Sequence, residues 1–81
     1  MGDNSINFNV DLSLSARQAV RLEFNPAGDD RIARIKMLTA ALITECEVIR
    51  SEGAAAREAS IAITGYEEAA MWAVKAATKE Q

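Results

Sequence analysis

The sequence predicts an all-α protein: a short N-terminal helix followed by a long antiparallel helical hairpin. Three observations predict it. From Ile32 to Ile49, and again from Ala55 to Ala76, residues of a mostly apolar stripe recur in alternating steps of three and four, the spacing that lines one face of a helix. Residues that start helices stand where the helical segments begin, Ser13 or Ser15 for the first and Asp29 or Asp30 for the second. Strong breakers, Asn25-Pro26, Gly28 and Gly53, separate the segments.

Each element follows in chain order. Residues 1–11 read as a polar, Asn-rich arm, partly extended because Ile6, Phe8 and Val10 alternate. Residues 12–81 then make one helical-hairpin domain. The first helix starts at Ser13 or Ser15, whose hydroxyl can accept an unpaired first-turn amide, and runs through Leu22. Asn25-Pro26 ends it, because proline disfavours helical geometry at the residue before it. Gly28 turns the chain. The second helix spans about Asp30 to Ser51, with an apolar stripe of Ile32, Ile35, Thr39, Leu42, Cys46 and Ile49. Gly53 breaks it and permits a tight return. The third helix runs from about Ala54 to Thr78, and its stripe is Ala55, Ala59, Ala62, Tyr66, Ala69, Ala73 and Ala76. Small side chains at such a seam let helix axes approach closely.

Ile61 and Trp72 occupy another side of that helix, and Ile63, Ala70, Val74 and Ala77 a third. One partner helix cannot cover a helix that is apolar nearly all round. The chain has only 81 residues, and a chain so short buries roughly 60% of its unfolded surface. It carries one cysteine, Cys46, and no histidine. An intrachain disulfide and Cys/His zinc clusters are therefore excluded. Self-association remains as the source of extra stability, and a compact symmetric oligomer is expected.

The same composition narrows function. Serine–histidine and cysteine–histidine nucleophile systems cannot be assembled without histidine, and no metal or cofactor signature appears. No enzyme is expected. The formal charge of −3 argues against general DNA or RNA binding. No secretory or membrane-spanning pattern is legible, so a cytoplasmic protein is expected.

Two stretches carry candidate chemistry. The first is EFNPAGDDRIARIK, residues 23–36. It combines the Phe24 ring, a helix N-terminus with its unpaired amides, and the cations Arg31, Arg34 and Lys36, which together suit a nucleotide-like anion. Asn25 stands in the same turn. The plainer possibility is that Phe24 packs under the turn while the arginines pair with Glu23, Asp29 and Asp30. The second stretch holds Arg57, Ser60 and Thr64. Arg57 and Thr64 are seven residues apart, hence on one face of a helix. One guanidinium and two hydroxyls can grip a phosphate where copies of the stripe converge. The plainer possibility pairs Arg57 with Glu52 or Glu58 and bonds Thr64 back to its own helix. Tyr66 and Trp72 read as packing residues, Lys75 as a surface cation, and Cys46 as a small core residue.

The Phe24-Asn25-Pro26 turn, the Ile35-Lys36 pair and the closing REASIAITGYEEAAMWAVKAAT resemble the helical-hairpin sponges of phages. These are the anti-CBASS cyclic-oligonucleotide sponges and their anti-Thoeris relatives, and the resemblance covers about residues 20–78. It implies an all-helical hexamer that sequesters immune messengers in the infected bacterial cell without cutting them. It implies a cyclic-dinucleotide pocket between paired protomers, matched here by Phe24 and Lys36. It also implies a cyclic-trinucleotide pocket where three protomers meet, matched by Arg57 and Thr64. Some members carry tyrosine at the aromatic position; phenylalanine keeps the stacking face without the hydroxyl. Asn25 and Arg34 join the first site by proximity to the turn, and Ser60 joins the second by its place on the stripe. The alternative is a structural or interaction hairpin oligomer that takes no small ligand.

Overall fold

The computed structural model describes residues 11–79, so the expected N-terminal arm lies, but for Asp11, outside the described residues. Three helices follow one another: α1 (Leu14–Ala19), α2 (Asp30–Glu52) and α3 (Ala56–Lys79). No strand occurs among the described residues. The chain is all-α, and α2 and α3 form the helical hairpin, with α1 laid against α2.

Each helix begins and ends for a local reason. Ser13 caps α1, its hydroxyl accepting the Ala16 amide. Its first residue is thus the one a serine cap places there, but the helix stops at Ala19, three residues short of the expected end at Leu22. The cause is Arg21, whose φ of +54° is left-handed. Its amide returns to the Gln18 carbonyl (3.1 Å) and the Leu22 amide to the Arg17 carbonyl (2.9 Å), the paired bonds of a Schellman cap. Glycine ordinarily fills that position, so an arginine there gave no signal in the sequence. Asn25 to Gly28 make the next turn, closed by the Gly28 amide on the Asn25 carbonyl at 3.0 Å. Gly28 takes the left-handed φ, +64°. Asp29 caps α2 by accepting the Arg31 and Ile32 amides. Gly53, at φ +92°, ends α2 and lets α3 return.

The face of each long helix that meets its partner is only partly the expected one: Ile32, Thr39 and Ala59 are buried as the spacing predicts, and the rest of the buried face is turned from it. In α2 the buried residues are Ile32, Lys36, Thr39, Ala40 and Ile43. Leu42 and Ile49, placed on the stripe by spacing, are exposed. In α3 the buried residues are Ala59, Ile63, Ala70 and Ala77, and the expected Ala69 and Ala76 face outward. Ile32, Thr39 and Ala59 hold their expected places, while Lys36, Ile43, Ile63, Ala70 and Ala77 each stand one residue beyond an expected seam position, so the buried face is turned by less than the roughly 100° of one residue. A lysine explains the misreading. Lys36 sits in the buried stripe, and hydropathy alone would never place it there.

The core is small. Ala16, Val20, Ala40, Ile43, Ile63 and Ala70 form its buried cluster, with Leu12, Leu22, Cys46 and Tyr66 packed around it. Among the described residues, Ile43 is the only large side chain buried almost completely. At about 1.5–3 kcal/mol for each large aliphatic side chain fully buried, such a core contributes little. Much apolar surface stays uncovered, including Leu38, Leu42 and Ile49 on α2 and Ile61, Met71 and Trp72 on α3. Lys75 lies exposed with its ammonium 5.3 Å from the Trp72 ring. No helix among the described residues is long and apolar enough to cross a membrane.

Candidate functional site

The turn after α1 is fastened to α2 by one side chain. Lys36 donates from Nζ to the Arg21 carbonyl at 3.0 Å and to the Phe24 carbonyl at 2.5 Å. An ammonium has three donors, so one remains for another acceptor. The residue is only 6% exposed. Burial first, and the neighbouring Arg21 charge second, hold its pKa below the ordinary lysine value. A buried cation under this pressure gains from any anion brought beside it.

Phe24 lies over this arrangement. Its ring is 55% exposed, which excludes the plainer possibility of a core residue under the turn. The Arg21 guanidinium sits 4.5 Å from the ring centroid and Lys36 Nζ 5.6 Å. Two cations thus lie within cation–π distance of one half-exposed ring. The ring and both cations border a cleft of about 320 Å³. The end of α1 contributes Ala19 and Val20, and α3 contributes Glu67, Ala70, Met71 and Val74.

The other residues expected beside them fall elsewhere. Asn25 is occupied by its own loop: its amide nitrogen donates to the Asp29 carbonyl at 3.0 Å, and its amide oxygen accepts the Asp29 amide at 3.3 Å. It shapes the turn that carries Phe24. Arg34 is exposed and does not line the cleft. Glu23 pairs with Arg17 rather than with the arginines of α2. Reading the sequence missed Arg21 and Glu67. Both lie outside the helix-start pattern, and only the cap at Arg21 and the packing of α3 bring them to the cleft.

At the opposite end of the chain's contact with α2, Glu47 accepts the Ser13 and Ser15 hydroxyls, each at 2.5 Å, and Thr44 accepts the Ser13 amide at 3.1 Å. These hydroxyls hold the Glu47 carboxyl below the usual carboxylate value. α1 is therefore pinned to α2 at both ends, by Glu47 before it and by Lys36 after it.

The second stretch presents a different geometry. Ser60, Ile61, Thr64, Gly65 and Glu68 line a wide, open groove of about 480 Å³. All five belong to α3. The Thr64 hydroxyl bonds back to the Ser60 carbonyl at 3.3 Å. Arg57 is exposed, and no ion pair engages it among the described residues. It stands on α3 before the groove without lining it. A surface offered by one helix cannot enclose a ligand within a single chain. No cluster of His, Cys, Asp or Glu able to hold a metal ion occurs among the described residues.

Against known proteins, the family model described as the Acb2/Tad1 hairpin domain matches residues 15–78, most of the chain. No curated protein and no solved structure gives a match.

Proposed function

The chain belongs to the Acb2/Tad1 hairpin-domain family of anti-CBASS and anti-Thoeris sponge proteins, and from that premise we propose that it sequesters cyclic oligonucleotide immune messengers without degrading them. One observation carries the reading: the buried Lys36, its ammonium 5.6 Å from the centroid of the exposed Phe24 ring, lines one cleft with that ring. Base stacking on Phe24 contributes about 1–3 kcal/mol per base. A phosphate contact from Lys36 or Arg21 adds about 1.5–3 kcal/mol. Arg34 and Asn25 act only at a distance, Asn25 by shaping the turn.

The cleft is at the small end of the roughly 300–1,000 Å³ typical of ligand pockets. It suits one nucleotide unit, and the second half of a cyclic dinucleotide would be held by a second copy. The uncovered apolar residues of α2 and α3 support such pairing. The groove with Ser60 and Thr64, with Arg57 beside it, is the proposed cyclic-trinucleotide site, completed where protomers meet in a hexamer. The proposed setting is the cytoplasm of the infected bacterial cell. Neither DNA nor RNA is a partner in this reading, and no cofactor takes part.

The mechanism is mass action. A binder lowers free messenger when its affinity exceeds the effector's and its sites outnumber the ligand. Incubation with a cyclic dinucleotide, removal of unbound ligand and heat denaturation test it. A sponge releases intact ligand. Linear product would identify an enzyme, and no uptake at all would identify a scaffold that binds only proteins.

A further inference from the structure

The cleft holds a third ionisable group that the proposed function leaves unused. Glu67 stands on α3, half-buried, and lines the cleft with Phe24, Arg21 and Lys36. Its carboxylate makes no hydrogen bond and no ion pair among the described residues. Neither cation of the cleft pairs with it. Lys36 gives two of its three donors to backbone carbonyls, and the Arg21 guanidinium lies 4.5 Å from the centroid of a ring that stays half-exposed. A half-buried carboxylate in such a place retains acceptor capacity that no protein donor among the described residues fills, and it cannot donate.

A phosphate would be repelled by that group, whereas a ring bearing N–H donors would be drawn to it. Nucleobases differ on this point. Guanine presents two adjacent donors, N1–H and the N2 amino group, which match the two oxygens of a carboxylate. Adenine offers one amino donor beside the N1 lone pair. Uracil places one donor between two carbonyl oxygens. Only guanine pairs with both oxygens without placing a lone pair against them.

We infer that Glu67 reads the Watson–Crick edge of the base stacked on Phe24, so that the cleft selects a guanine nucleotide over adenine or uracil. The phosphates lie toward Lys36 and Arg21, and the base edge lies toward α3. This rests on the proposed cyclic-dinucleotide reading of the cleft and adds a specificity-determining residue to it.

Calorimetry of the full chain with cyclic di-GMP and cyclic di-AMP as probes tests the inference. The unsubstituted chain is expected to favour cyclic di-GMP by about tenfold or more. Glu67→Gln keeps the size and polarity of the side chain, so the fold survives. It should collapse the preference, chiefly by weakening cyclic di-GMP. An unchanged ratio in Glu67→Gln overturns the role of Glu67 and leaves the sponge reading standing. Equal weakening of both ligands together with a changed mass in solution also overturns it, since the carboxylate then serves contact between copies. If the unsubstituted chain binds neither probe, the cleft reading itself fails and this inference goes with it.

Discussion

Removing the ammonium of Lys36 and removing the ring of Phe24 should have opposite profiles of stability and binding. Lys36→Met keeps most of the aliphatic stem in the seam and deletes two charge-assisted bonds to the turn carbonyls. Each such bond contributes about 1.5–3 kcal/mol, and relief of the buried charge's desolvation offsets part of the loss. A net destabilisation of about 2 kcal/mol is expected, and at about 4–8 °C per kcal/mol for a chain this size the thermal midpoint drops by roughly 10 °C. Phe24→Ala removes a ring already 55% exposed, so its cost to the fold is about 1 kcal/mol or less. Its cost to binding is larger. Losing a stacked base platform lowers affinity by a factor of about 5–150. Differential scanning calorimetry at fixed protein concentration and titration with a cyclic dinucleotide measure the two quantities on the same samples. If Phe24→Ala lowers the midpoint as much as Lys36→Met and leaves affinity alone, the ring is packing and the cleft binds nothing.

Four further outcomes follow. Glu47 has a folded pKa below its reference of 4.5, so its contribution to stability is complete above that value and is lost as pH falls through the folded one. Glu47→Gln should flatten that acid limb, as read from urea midpoints between pH 6 and pH 3. Arg21→Gly should relieve about 1–2 kcal/mol of left-handed backbone cost, more than the roughly 0.5–1 kcal/mol of an exposed cation–π contact. A higher urea midpoint with weaker dinucleotide uptake is expected, and a lower midpoint refutes the account of the cap. Arg57→Ala should weaken cyclic-trinucleotide uptake by tenfold or more while sparing dinucleotides, since one charged phosphate contact is about 1.5–3 kcal/mol; equal loss of both in parallel titrations counts against separate sites. Leu42→Glu places a charge on the uncovered face of α2 and should lower the mass seen by light scattering while circular dichroism keeps its helical signal; an unchanged mass shows that this face is free in the assembly.

Helix order and most boundaries were legible because caps are local. Ser13, Asp29 and Gly53 act on amides and carbonyls within a few residues of themselves, and the sequence displays them directly. The α1 terminus was not legible, because an arginine performs a glycine's task at residue 21. The faces of the hairpin were legible only in part, for a related reason. A stripe chosen by apolarity leaves out Lys36, whose charge is satisfied by carbonyls fifteen and twelve residues earlier in the chain. Phe24 and Lys36 were legible individually, but their meeting depends on how the turn folds back. Glu67 was not, because nothing in a run of alanines and glutamates distinguishes the carboxylate that faces the turn from the ones that face water.

The groove on α3 has a floor and no far wall. Any trinucleotide resting there would need neighbouring subunits to close over it, so its grip would rise and fall with how many subunits have gathered. In dilute extract such a site would fall silent before the cleft beside Phe24 did. Conversely, the messenger would act as a glue that draws subunits together and holds them longest where the message is most abundant.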